Sequence, residues 1–162
     1  MFNSLEMTNL SQYGIGAHNP LEERRQAGER FERALLQGRA RAFLGKLAGH
    51  DSHLQALGHT GARAAQQPPR RAGVTSIPLA RIIGSEGRVG DFDRSFHPLN
   101  DHTRDRWINI AVARRNGDSL PPVELIQVGD SYYVRDGHHR ISVARAEGQR
   151  EIEANVVYAL AA

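Results

Sequence analysis

Apolar positions along this chain change their period near residue 74. Upstream, Phe31, Leu35, Phe43 and Leu47 recur at helical intervals against a face bearing Arg24, Arg33, Arg39, Arg41 and Lys46, the pattern of an amphipathic helix with a docking stripe. Asn19-Pro20-Leu21-Glu22 marks its start, with Asn19 as N-cap, Pro20 at the first helical position and Glu22 at N3. The helix is predicted to run to about Ala48, with Gly49 ending it. A short second helix is expected over Asp51 to Leu57, stopped by Gly58. Residues 59–73, HTGARAAQQPPRRAG, read as a linker stiffened by Pro68-Pro69. Residues 1–18 are polar and glycine-containing and are expected to fray.

From Val74 the pattern becomes mixed strand and helix. VTSIPLARII, starting at Val74, predicts a first strand, and a long Gly- and Asp-rich loop, GSEGRVGDFDRSFHPLND, follows. Loops of this length in a compact unit usually carry function. TRDRWINIAVARRNG then gives an amphipathic helix with Trp107, Ile110, Ala111 and Arg114 at helical spacing. Pro121-Pro122 introduces the strand VELIQV, and Gly129-Asp130 turns it back into SYYVRD. A helix from the GHHR box and a last strand, EIEANVVY, complete an α+β domain over residues 74–162, preceded by a helical arm over residues 19–58.

The composition removes several function classes. There is no cysteine, so disulfides, thiolate zinc sites and cysteine nucleophiles are excluded from these residues, in keeping with a reducing cytoplasm. No run of 18 apolar residues exists to span a membrane, and MFNSLEMTNLSQYG lacks the basic and apolar regions of a secretory signal. Charge is uneven. Residues 1–73 hold ten basic and six acidic groups, giving +4; residues 74–162 hold eleven and twelve, giving −1. A basic 19–48 helix is thus a candidate DNA contact, although a solvated arginine-rich face explains the same residues.

The richest stretch is YYVRDGHHRISVARAEG, residues 132–148. It reads as strand, glycine break and helix, with Gly148 as C-cap. The first turn of such a helix has backbone N–H groups without intrahelical partners and the positive end of the macrodipole, which together favour an anion. Gly137 removes the side chain that would hold a phosphate off the backbone. His138, His139 and Arg140 add donors, and Asp136 is read as an N-cap or as a partner for His138 or a metal ion. A plain glycine turn into a helix whose histidines face water fits the same letters.

Residues 76–157 resemble the ParB N-terminal/sulfiredoxin-like domain family. IPLARI resembles its opening strand, GRVGDFD its first box and GHHR its second, phosphate-binding box. The resemblance implies a small mixed sheet with helices and a nucleoside tri- or diphosphate held by Gly137, His138, His139, Arg140 and Arg88, although a solvated loop arginine also fits Arg88. Asp91 and Asp93 are read as Mg²⁺ ligands or as caps of turns. The resemblance implies a phosphotransferase, an NTPase or a nucleotide-gated DNA-associated switch, with His138 and Asp136 as the groups beside the reacting phosphate. Sulfiredoxins carry a catalytic cysteine where His138 stands, so sulfinic acid reduction is not expected. ParB proteins usually have Gly-Glu-Arg-Arg in this box and a helical DNA-reading domain after it; the sequence stops at Ala162, so operator binding of that kind is not expected either.

A second constellation competes. His97, Asp101 and His102, joined by Asp136, His138 and His139, would suit a transition metal activating water on a phosphodiester. That is the chemistry of a metal-dependent nuclease. Asp101 alternatively caps the Trp107 helix. A non-catalytic DNA-binding adaptor is the third reading.

Overall fold

The computed structural model describes residues 19–58 and 73–158. The expected frayed N-terminus and nearly all of the expected linker lie outside the described residues. Helix α1, Pro20–Leu47, starts where its cap predicts: Asn19 Oδ1 accepts from Leu21 N at 3.1 Å and from Glu22 N at 3.4 Å. Glu22 pairs with Arg25 instead of closing a capping box. Six strands follow: β1, Gln55–Ala56; β2, Val74–Pro78; β3, Ile82–Ser85; β4, Val123–Val128; β5, Ser131–Asp136; and β6, Glu151–Tyr158. Helices α2, Arg104–Arg115, and α3, His138–Ala146, flank the hairpin of β4 and β5 in sequence. The fold class is α+β, as the sequence predicts.

The sheet runs β1-β3-β5-β4-β6-β2. Strand β3 lies parallel to β1 and β5, β4 is antiparallel to β5 and parallel to β6, and β2 closes the far edge antiparallel to β6. Two expectations change here. The predicted strand from Val74 is two strands at separate places in the sheet, parted by a 3-10 turn over Leu79–Arg81. That turn is held from a distance: Arg145 Nη2 donates to Leu79 O at 2.6 Å and to Ile82 O at 3.0 Å. The expected helix over Asp51 to Leu57 is instead an extended segment. Asp51 Oδ1 accepts from His53 N, Leu54 is buried in the core and Gln55–Ala56 pairs with β3. Burial of Leu54 and an unpaired sheet edge outweigh a weak local helix preference.

Two apolar clusters hold the molecule. The larger gathers Ile77, Ile82, Val123, Leu125, Val134 and Val156 from the sheet with Phe92 and Phe96 from the long loop and Ile141 from α3. The smaller packs Ala27, Phe31 and Leu35 of α1 on Trp107, Ile108 and Ala111 of α2 and on Val143 of α3. The predicted α1 stripe therefore divides. Phe31 and Leu35 are buried, whereas Phe43 is 64% exposed and Leu47 71%. At 100° per residue Phe43 lies about 120° round the helix from Phe31, so the two never shared a face. Gly38 shares the buried face, and a Cβ there would lie 2.5 Å from Pro98 O. Trp107 donates from Nε1 to Ser142 Oγ at 2.9 Å, fastening α2 to α3.

Candidate phosphate site at the start of α3

Strand β5 ends at Asp136 and α3 begins at His138, with Gly137 between them at φ +103°. An alanine there would be strained, and its Cβ would lie 2.5 Å from Val123 Cγ1. Gly137 thus lets the chain turn sharply off the sheet against β4. Unlike α1, α3 has no side-chain cap. The N–H groups of its first turn are left for solvent or a ligand.

A cleft of about 30 Å³ opens at this helix end, lined by Arg88, Arg106, Ile110, Asp136, Gly137, His138, His139 and Arg140. His138 and His139 are both buried. Phe92, from the centre of the GDFD box, stacks on His138 at 6.1 Å and meets His139 edge-on at 5.3 Å. His138 Nε2 lies 2.6 Å from the Oγ of buried Ser85. His139 is 7% exposed, and no hydrogen bond reaches its ring from any described residue. Its ring nitrogens are not sealed from solvent, and the ring lines the cleft.

Burial pushes both histidines down to about 4. The Arg88 charge adds to this at His138, and the Arg106 and Arg88 charges add to it at His139. Both rings are therefore neutral near pH 7, each with one N–H donor and one acceptor nitrogen.

The other predicted residues fall in several places. Arg140 lines the cleft, but its guanidinium is engaged: Nη1 donates to Pro121 O and Pro122 O, and Nη2 to Asp136. Its side chain, 11% exposed, points back to the segment before β4, so the expected phosphate ligand Arg140 is held here by protein groups. Asp136 is neither cap nor partner of His138; Gly137 holds the cap position. Arg88 is half-exposed and touches Asp91 at 3.5 Å.

Asp91 also meets His102 Nε2 at 3.2 Å and Asn100 Nδ2 at 3.4 Å. Asp93 is buried and accepts from Ser95 N and His97 N, each at 2.8 Å, and lies 3.0 Å from His97 Nδ1. It fastens the long loop, and neither carboxylate is left open as the expected Mg²⁺ pair. Asp101 sits in a 3-10 turn and pairs with Arg39, so it does not cap α2. Among the described residues no three His, Asp or Glu side chains converge to hold a metal ion. The cluster expected from His97, Asp101 and His102 is dispersed over separate partners.

On α1, Arg24, Arg25, Arg39 and Arg41 are bonded to protein groups. Sequence reasoning missed Ser85, Phe92 and Arg106. Phe92 carried one signal, a lone aromatic between two aspartates in a Gly-rich loop; Ser85 and Arg106 reach the site through strand pairing and helix packing that no local spacing marks.

No helix among the described residues is long and apolar enough to cross a membrane. No family model matches the chain, and no curated protein matches it. Among solved structures it is similar to sulfiredoxin from Arabidopsis thaliana, at TM-score 0.41 and 20% identity, over 53% of this chain and 85% of that one.

Proposed function

We propose that the start of α3 is a phosphate-binding site through which the chain binds a nucleotide as a ParB/sulfiredoxin-like domain. The carrying observation is the uncapped first turn of α3 opening on a cleft, where the His139 ring makes no hydrogen bond to protein and its nitrogens are open to solvent. A phosphate there would meet first-turn N–H groups, neutral histidine donors and the side chains of Arg88 and Arg106, a set of donors that suits an anion. The enclosed volume suits a phosphate group and is far below the several hundred Å³ of a whole-ligand pocket. Base and sugar would therefore lie outside it.

Histidines held neutral donate hydrogen bonds more readily than they exchange protons near pH 7. That favours binding or gating over acid–base turnover by His138. Asp91 and Asp93 do not fit a Mg²⁺ pair, and no step is assigned to that ion.

The test is thermal stability and calorimetric binding with nucleoside tri- and diphosphates and inorganic phosphate, with and without Mg²⁺. Arg88→Ala and Arg106→Ala should each weaken binding by roughly two- to tenfold, as expected for one exposed charged hydrogen bond. A parent protein that binds no phosphate compound, or variants that bind as the parent does, would refute it. A DNA contact along α1 would rest on Arg30, Arg33 and Lys46. Salt-sensitive DNA binding lost with those three would favour the adaptor reading instead.

A further inference from the structure

We propose that Ser85 is a positioning residue for this site: its hydroxyl donates to Nε2 of His138 and fixes the imidazole with its proton on Nδ1, the nitrogen left for the cleft. The purpose of this arrangement rests on the phosphate reading above, but its geometry does not. Ser85 ends β3 and pairs in register with Val134 of β5. Its Oγ has three neighbours: His138 Nε2 at 2.6 Å, Val134 O at 3.3 Å and the Gly87 N–H, which donates to it at 3.1 Å.

A serine hydroxyl has one proton to give, so His138 and Val134 O compete for it. Val134 O already accepts from Glu86 N at 3.0 Å, and the contact to the imidazole is much the shorter. The Val134 contact of 3.3 Å is long for a hydroxyl donor, whose bonds span about 2.5–3.0 Å, whereas 2.6 Å suits O–H···N, and on that ground the proton is assigned to Nε2. A neutral ring that accepts at Nε2 carries its hydrogen on Nδ1. That nitrogen makes no hydrogen bond to protein and is not sealed from solvent. Phe92 stacks on the ring at an interplanar angle of 16° and holds its plane.

The tautomer decides the sign of the contact with an anion. With Nδ1 protonated, the ring points a donor at the phosphate oxygens; with Nε2 protonated, it would point a lone pair at them. Ser85 is wholly buried, so it acts through the histidine and meets no ligand itself. Burial keeps the ring neutral, which makes the choice of tautomer, and not the charge, the property that Ser85 sets.

The measurement is histidine ring nitrogen-15 chemical shifts of the full chain, from about pH 5 to 8. His138 is expected as the Nδ1–H tautomer throughout, without any ligand. Ser85→Ala should mix the tautomers and weaken inorganic phosphate binding by roughly three- to tenfold, the worth of one hydrogen bond. Ser85→Thr, which keeps the hydroxyl, should preserve both. An Nε2–H tautomer in the parent overturns the proposal even if no variant folds, and so does a Ser85→Ala protein with the parent's tautomer. The expected tautomer in a parent that binds no phosphate refutes the phosphate reading alone and leaves Ser85 as the group that orients His138.

Discussion

Arg140→Ala is expected to weaken the fold more than it weakens phosphate binding. In the parent, one guanidinium reaches two consecutive carbonyls, Pro121 O and Pro122 O, and the Asp136 carboxylate. It ties the segment leading into β4 to the first turn of α3. The Asp136 carboxylate is 57% exposed, so that pair contributes only ~0.2–1 kcal/mol after solvent screening. The two carbonyl bonds from a charged donor contribute roughly 1.5–2 kcal/mol together, because one of them lies at the surface. The variant should therefore lose about 2–3 kcal/mol, or roughly 4–12 °C in Tm for a chain of this size. Urea and thermal unfolding followed by circular dichroism measure it. Arg140→Lys should recover only part, since a single ammonium cannot span three acceptors. Phosphate affinity, measured on folded protein well below the transition, should change by less than about threefold. Unchanged stability with a ten- to hundredfold loss of affinity would refute this and return Arg140 to the ligand.

Gly137→Ala should cost about 2–4 kcal/mol, from a φ of +103° and a Cβ driven into Val123. Adding Val123→Ala should relieve the steric part and leave the backbone part, so a strictly additive double variant in urea unfolding would contradict the packing account. Trp107→Phe should lose about 1–2 kcal/mol, because buried Ser142 Oγ loses its donor; an unchanged urea midpoint would count against that bond. His138 and His139 have folded values near 4, below the ordinary 6.5. The unfolded chain therefore takes up protons that the folded chain refuses. Stability should be full above about pH 6.5 and fall as pH drops toward 4, and His138→Gln or His139→Gln should flatten that slope; variants as acid-sensitive as the parent would refute the assignment.

Much of the domain was legible because its signals are local. Asn19-Pro20 caps α1, Gly129-Asp130 turns β4 into β5, and the glycine at 137 frees the backbone between β5 and α3. The errors came where distant residues decide. Nothing in VTSIPLARII marks the turn at Leu79, because the group that stabilises it is Arg145, more than sixty residues away. The strand at Gln55–Ala56 exists because β3 offers an edge. At the site, the glycine break and the start of the helix could be read from their letters. Which arginine faces it could not, since Arg140 is claimed by two proline carbonyls and Arg106 arrives on a helix placed by Trp107. The aspartates of the long loop look like metal ligands in one dimension and prove to be loop fasteners once their partners are in view.

The bond from Trp107 to Ser142 joins the two helices that wall the cleft, and Phe31 of α1 rests edge-on against the same indole at 5.8 Å. Arg106 precedes that tryptophan on α2, and Ser142 lies one turn beyond His138 on α3. Anything that bridges Arg106 and the first turn of α3 therefore also braces the seat on which α1 docks. A detached α1 would strip Phe31 from the indole that fastens α2 to α3. α1, remote from the GHHR box in sequence, thus shares one side chain, Trp107, with the walls of the cleft.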